Sequence, residues 1–296
     1  MLRRSLIVAV VALVAAGAAS SHRTAAFPVT IHAANGDVTI TKQPTRVISL
    51  SPTATEDLFA LGAGKQVIAV DEDSDYPKQV PRTKLSGFTP NAEAVAGYNP
   101  DLVVVSNDGG IVAQLQKLGI AVLLEPAADT IAQAYDQIRQ LGAATGHPAG
   151  ATTVVRGMQR KLTTLIRSVP RSRRHLRVFH ELSPDFYSAT SGTFIGRVYR
   201  LFGFSNIADG AANTSTDFPQ LSAEYVVSAN PQIVVLADSV CCGTTAANVA
   251  ARPGWSELAA VKQHRVVAVD DSIASRWGPR LVDFAAAVAR VARASG

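Results

Sequence analysis

From residue 46 the chain alternates short apolar runs with amphipathic stretches. Arg46–Leu50, Gln66–Val70, Asp101–Val105 and Ala121–Leu124 read as strands. Leu102–Val105 is apolar on both faces, as a strand buried in a parallel sheet is. Ser51 is placed to cap a helix with Pro52 at its first position, running to about Leu61, where Gly62 and Gly64 end it. Helices over Asn91–Gly97 and Ile111–Leu118 complete a βαβ-type lobe, with a loop holding Pro77, Pro81 and Pro90 between its second strand and second helix. Upstream, Val29–Ile40 carries Asn35-Gly36, a hairpin signal.

The pattern then changes to long helices. Thr130–Ala144 reads as one, Gly146-His147-Pro148 breaks it, and Ala149–Val169 reads as another, with Leu162, Leu165, Ile166 and Val169 at helical spacing. After Pro170 the alternation resumes. Strands are predicted at Arg177–His180, Gln232–Leu236 and Arg265–Val269. Helices are predicted at Thr193–Phe202, Ala223–Ser228 and Pro279–Arg293, with a helical stretch near Trp255–Ala260.

The two alternating regions are related. NAEAVAGYNPDLVVV (91–105) and SAEYVVSANPQIVVL (222–236) align at an offset of 131, with seven of fifteen positions identical, and the same offset joins Arg46-Val47-Ile48 to Arg177-Val178-Phe179. One offset linking two separate places implies two lobes built to one plan. It sets Glu93 and Glu224 at equivalent points, each near a helix start, where the helix dipole stabilises a carboxylate. A paired acid on two lobes suits a partner that is itself two-fold.

Composition narrows the class. At 296 residues and 47% hydrophobic content the chain has ample core for two lobes. The formal net charge of +5 includes Arg3 and Arg4 and is too small and scattered to argue for nucleic acid. No Asp or Glu occurs between Asp136 and Glu181 while nine Arg and Lys do, which reads as a solvated basic face on a long helix rather than a binding patch.

Residues 1–20 read as an export signal: Arg3 and Arg4, an apolar stretch Leu6–Ala16, then small residues. The stretch is short for a membrane span, and no cysteine follows it, so a lipoprotein is not expected. The only cysteines, Cys241 and Cys242, are adjacent and fit either a vicinal disulfide or two free thiols. Neither they nor their neighbours make a metal site. There is no GxGxxG, GxxxxGK[ST], HExxH or GxSxG, so no catalytic site is expected, although a secreted α/β enzyme or a ligand sensor without transport would share the alternating pattern.

The strings RVISLSPTATEDLFALGAG, SDYP (74–77), NPDLVVV, SGTFIGRVYRLFG, FPQLSAE and RWGPR (276–280), in this order, resemble the periplasmic or extracellular substrate-binding proteins of ABC importers for cobalamin and ferric siderophores. The resemblance covers nearly everything from Val29 onward. It implies an α/β fold of class III: an N-terminal lobe at 29–147, a rigid connecting spine helix at 148–169 and a C-terminal lobe at 170–296. It also implies a monomer that binds a small-molecule metal chelate between the lobes and delivers it to an ABC permease dimer with its ATPase subunits. Glu93 and Glu224 match the acids that dock on permease arginines.

Ligands of such lobes lie beyond the carboxyl ends of the strands. That places Ser51, Thr53, Asp73, Tyr76, Phe88 and Ser106, Asn107 and Asp108 on the first lobe's mouth. His180, Tyr187, Phe194, Phe218, Asp238 to Cys242, Arg276 and Trp277 fall on the second. Phe88 and Phe218 resemble aromatic positions of cobalamin-binding relatives and Arg276 a ligand-proximal arginine, whereas Asp73 and Ser106 replace aromatics. Phe194 is expected in the core, and His180 as a strand-end histidine rather than a metal ligand. The expected ligand is cobalamin or another corrinoid ahead of a ferric siderophore or haem, and no cofactor is expected.

Overall fold

The computed structural model describes residues 27–211 and 216–294. The expected export signal at 1–20 lies outside these. The first lobe opens with an antiparallel hairpin, β1 (Val29–Ala33) and β2 (Gly36–Ile40). β3 (Val47–Leu50), α1 (Pro52–Ala60), β4 (Val67–Val70), α2 (Ala92–Ala96), β5 (Leu102–Val105), α3 (Ile111–Lys117), β6 (Ala121–Leu124) and α4 (Ile131–Thr145) follow. α5 (Pro148–Ser168) is the 21-residue helix joining the lobes. The second lobe holds β7 (Arg177–Glu181), α6 (Phe194–Leu201), β8 (Ser205–Asn206), α7 (Ala223–Ala229), β9 (Ile233–Leu236), α8 (Ser239–Cys242), α9 (Ala246–Ala251), α10 (Ala259–Lys262), β10 (Val266–Ala268), α11 (Asp271–Ser275) and α12 (Leu281–Arg293).

The two main sheets are parallel and have one plan. The first runs β4-β3-β5-β6 and the second β8-β7-β9-β10, so each strand has a counterpart in sequence order. The repeated residues make the same contacts twice. Arg46 donates from Nε to the Asn99 carbonyl at 2.9 Å and from Nη2 to that of Tyr98 at 2.6 Å. Arg177 donates from Nε to the Ala229 carbonyl at 2.9 Å and from Nη2 to that of Asn230 at 2.9 Å. Asn99 and Asn230 have φ of 49° and 44°, the left-handed turn that Asn tolerates and that aims these carbonyls at the guanidinium. The sequence repeat is therefore a repeated clamp at the amino end of the central strands.

α1 starts where Ser51 accepts from the Ala54 amide, and α4 starts where Thr130 accepts from that of Gln133. Its buried Tyr135, Ile138 and Leu141 join Val155, Met158 and Leu162 of α5 and Leu281, Phe284 and Val288 of α12 in one core that spans both lobes.

Two expectations are corrected. The hairpin forms, but Ala33 pairs with Gly36, so the turn residues are Ala34 and Asn35. The reason is tertiary: the Asn35 side chain donates to the Val122 carbonyl and accepts from the Leu124 amide, each at 2.9 Å, hooking the turn onto β6. The stretch near Trp255–Ala260 divides into a 3₁₀ turn (Trp255–Glu257) and α10. β8, α8, α9 and α11, of two to six residues, are too short to show a hydrophobic period in the sequence.

α5 lies close to α1. A Cβ built on Gly150 would stand 1.9 Å from the Leu61 carbonyl oxygen, whereas one on Gly157 meets nothing within 4 Å. Gly150→Ala is expected to destabilise the protein by about 1–3 kcal/mol. Gly157→Ala, at a helical position with room, is expected to stabilise it by about 0.5–1 kcal/mol. Urea unfolding of the two variants checks this, and shifts of the same sign would refute the close approach of α5 to α1.

Candidate functional site

Segments that follow the carboxyl ends of β4 and β10 line a recess between the lobes, and a junction between the lobes sits beside it. Residues 276–280 of the second lobe lie against α1 and the 73–76 loop of the first. Arg276 Nη1 donates to Glu56 Oε1 at 2.8 Å and to Asp75 Oδ1 at 3.0 Å, and its Nη2 donates to the Asp73 carbonyl at 3.0 Å. Arg280 donates from Nε to Glu56 Oε2 at 2.8 Å and from Nη2 to Glu56 Oε1 at 2.6 Å. Its guanidinium also stacks 4.2 Å from the centre of the Tyr76 ring. Trp277 Nε1 donates to Gln137 Oε1 of α4 at 2.9 Å. Glu56 is buried, so its charge is balanced almost entirely by these two arginines.

The neighbouring acids have no such partners. Asp57 and Glu125 are buried, and Asp57 Oδ1 and Glu125 Oε1 lack hydrogen-bond partners among the described residues. Burial, then the charges of Glu56 and Glu125, hold the Asp57 carboxyl well above its ordinary range. Burial pushes Glu125 up to about 8. One acid gripped by two guanidiniums thus sits among acids that favour the neutral form. Gly278 fits this spot because it brings no side chain: a Cβ there would lie 3.2 Å from Asp57 Oδ1.

Beside the junction is an open polar recess of about 390 Å³, where Glu72, Asp73, Asp75 and Asp271 face only Arg82 and Arg276. Large apolar rings stand exposed on both lobes. Phe88 is 79% exposed, Phe218 49%, and Tyr76 and Tyr187 44% each. On a chain with only 6% aromatics, the open rings of Phe88, Phe218 and Tyr187 are available to stack on a ligand, whereas one face of Tyr76 is taken by Arg280. Phe88 and Asn107 are brought together, the Asn107 amide donating to the Phe88 carbonyl at 3.5 Å. Tyr187 bridges to Gln220, which sets it near Phe218.

Other expected site residues are placed differently. Thr53 is buried, with Gly278 packed against it, and is not open to the cleft. The Arg276 guanidinium reaches the recess with its edge but is committed to Glu56 and Asp75, and Trp277 is half-buried on α4. All three serve the junction, because the 276–280 segment folds back onto α1. His180 is fully buried between Tyr199 and Phe284, its Nδ1 2.6 Å from the Tyr199 hydroxyl, and burial lowers it to about 3, so it stays neutral in the core. Phe194 packs half-buried on the main core. Cys241 and Cys242 lie exposed on α8 as a vicinal pair in disulfide contact, Cα atoms 3.8 Å apart. Glu93 and Glu224 are exposed in the first turns of α2 and α7, behind the caps Asn91 and Ser222. Its own backbone amide and the Ser222 hydroxyl hold Glu224 below the usual carboxylate range.

Sequence reasoning missed Glu56, Asp57, Glu125 and Arg280. The signal for the first two was present: two adjacent acids in the helix PTATEDLFA, which has apolar residues on all sides. Arg280 closes the RWGPR string four residues after Arg276, in the non-helical segment between α11 and α12 whose fold lets both grip one carboxylate.

The raised acids give a pH dependence. The folded state holds a proton on Glu125 up to about pH 8, whereas the free side chain releases it near 4.5. The folded state therefore binds more protons, and stability falls as pH rises from about 4.5 to about 8. Asp57 acts in the same direction. Glu125→Gln is expected to flatten the fall in urea-unfolding free energy between pH 5 and pH 8. An unchanged profile would show that Glu125 ionises freely in the folded protein.

Three comparisons place this geometry among known proteins. The chain is 35% identical over 280 residues to an uncharacterized ABC transporter substrate-binding lipoprotein of Bacillus subtilis, covering 89% of this chain and 85% of that one. That name stands against the expectation that no lipid anchor is used. The chain is 33% identical to a cobalamin-binding protein of Halobacterium salinarum, covering 90% of this chain and 74% of that one. The crystal structure of the periplasmic vitamin B12 binding protein of Vibrio cholerae superposes with a TM-score of 0.68 at 26% identity, over 84% of this chain and 98% of that one. Among the described residues no helix is long and apolar enough to cross a membrane. The periplasmic binding protein family matches residues 47–273, and with two lobes of parallel sheet on one connecting helix the chain belongs to that family of substrate-binding proteins.

Proposed function

We propose that the protein captures a corrinoid such as cobalamin in the interlobe cleft and delivers it, without chemical change, to an ABC permease dimer with its ATPase subunits. The observation that carries this reading is the acidic recess beside the junction, on a protein that also exposes rings on both lobes. Four carboxylates face two guanidiniums, and one of those, Arg276, is already shared with Glu56. Such a recess repels the carboxylates of haem and of many ferric siderophores. A corrinoid periphery of neutral amides can donate hydrogen bonds to it instead. The names of the Halobacterium and Vibrio relatives support the same class of cargo. Phe88, Tyr187 and Phe218 supply apolar faces, Asn107, Asp73 and Tyr76 supply polar contacts, and Arg276 borders the recess. The ligand is cargo, and no resident cofactor is invoked.

Glu93 and Glu224 are assigned to permease docking. They are exposed, equivalent by the repeat and rigidly presented at capped helix starts, as a monomer meeting a two-fold partner requires. Export places the protein outside the cytoplasmic membrane.

Titration with cobalamin, dicyanocobinamide, haem and ferric siderophores, read by Trp fluorescence and confirmed by calorimetry, tests the cargo. Submicromolar binding of the corrinoids alone is expected, weakened about tenfold by each of Phe88→Ala and Phe218→Ala. Tighter binding of an anionic iron chelate would overturn the corrinoid assignment. Glu93→Ala combined with Glu224→Ala is expected to leave corrinoid affinity unchanged and to abolish uptake in cells. Lost affinity in that double variant would place the two acids in the ligand site instead.

A further inference from the structure

The basic face read from the sequence is larger in three dimensions than one helix. α5 presents Arg156, Arg160, Lys161 and Arg167 to solvent, the first two and the last at spacings of four and seven residues, which share one face. Arg171, Arg173 and Arg174 follow in the turn after α5. α12 packs against α5 and adds exposed Arg290 and Arg293, the latter donating from Nη1 to Ser168 Oγ at 2.9 Å.

Nine cations therefore form one ridge over two helices and a turn. Among the described residues none of the nine is in a salt bridge. Asp283 is the acid nearest in register: it lines an open groove of about 410 Å³ between α5 and α12, together with Arg160, Lys161 and the apolar Leu165 and Val282. Cations in a last helical turn are ordinary, since they offset the helix dipole, and that accounts for Arg167, Arg290 and Arg293. It does not account for Arg156, Arg160 and Lys161, which stand in the middle of α5.

The charge is also segregated. Of 28 Lys and Arg in the chain these are nine, leaving 19 against 23 Asp and Glu elsewhere. The ridge lies opposite the cleft. The Thr145 carbonyl, at the α4–α5 turn, accepts from the Gln43 and Gln66 side chains, just before β3 and β4. The far end of α5 leads into the amino end of β7. Both ends of α5 thus stand at the amino ends of the strands, and the recess stands at their carboxyl ends.

We infer that this ridge is a docking surface for an anionic phospholipid bilayer, on which the protein rests with its cleft turned to the outside. A flat lipid surface of phosphates matches an extended row of cations that, among the described residues, make no salt bridge. The groove between Leu165 and Val282 offers an apolar floor at the same face. Attraction of this kind adds up over several cations and needs no fixed partner for any of them. The orientation is the reverse of the one in which Glu93 and Glu224 would meet a permease, so surface binding would hold the protein near the membrane in a capturing state and compete with delivery.

The test is co-sedimentation of the purified protein with vesicles of phosphatidylcholine containing phosphatidylglycerol, against vesicles of phosphatidylcholine alone. Binding to the first only, reversed by high salt, is expected. Arg156→Gln, Arg160→Gln and Lys161→Gln together should weaken partitioning about a hundredfold, at roughly fivefold per cation removed. Arg290→Gln with Arg293→Gln, on a separate helix, should weaken it about twenty-five-fold by the same rule. Corrinoid affinity, followed in parallel, should stay at the wild-type value. The stretch Leu6–Ala16, if retained, would partition into both vesicle types alike and would not respond to salt. Equal binding to both vesicle types, or equal binding by wild type and both variants, would overturn the inference. Retention on a soluble polyanion without any vesicle binding would overturn it too, by assigning the ridge to another partner.

Discussion

The Glu56 carboxylate is the contact on which the relation between the lobes turns. It sits buried on α1 of the first lobe and takes three charge-assisted hydrogen bonds from Arg276 and Arg280 of the second. A buried carboxylate without partners is costly, so any motion that parted the two segments would expose or strand three charges at once. The same contact draws Trp277 onto Gln137, Gly278 onto Asp57 and Arg280 onto Tyr76. Asp57 and Glu125 fit beside it because burial favours their neutral forms over added like charge. Together with α5, this junction ties the two lobes to each other at a second place.

The lobes are alike at one end and unlike at the other. At the amino ends of the strands Arg46 and Arg177 grip equivalent loops, and the residues responsible are the ones the repeat preserved. At the carboxyl ends the lobes diverge. The first carries the acid cluster of α1. The second carries Glu181, held by both outer nitrogens of Arg252 at 2.6 Å, with that guanidinium stacked 4.6 Å from Trp255 and 5.0 Å from Phe186. A scaffold can be duplicated intact while the loops at the strand ends, which make few contacts with the frame, vary to suit a ligand.

Charge follows the same axis. The recess at the carboxyl ends is acidic, the outer helix starts carry Glu93 and Glu224, and the cations collect along α5 and α12. A net charge of +5 conceals this, since opposite faces nearly cancel in the sum. What a partner senses is the local field within about a Debye length, so the faces present different surfaces to ligand, permease and lipid.

Much of the frame was determined by the sequence alone. Short apolar runs and helical spacing placed the main strands and helices, and the offset of 131 related the lobes, because strands buried on both faces and capped helices leave local signatures. Phe88, Tyr187 and Phe218 stand exposed in loops rather than in the core. Only the tertiary structure decided the roles of Thr53, Arg276 and Trp277, which serve the junction, and of Glu56, Asp57, Glu125 and Arg280. These residues lie up to 224 positions apart in the chain. Their chemistry depends on burial and on which charges face each other, and neither is a property of the local sequence. The hairpin turn moved by one residue for the same reason: Asn35 found partners in β6, 87 and 89 positions away, that outweighed the preference of Asn-Gly for the turn itself.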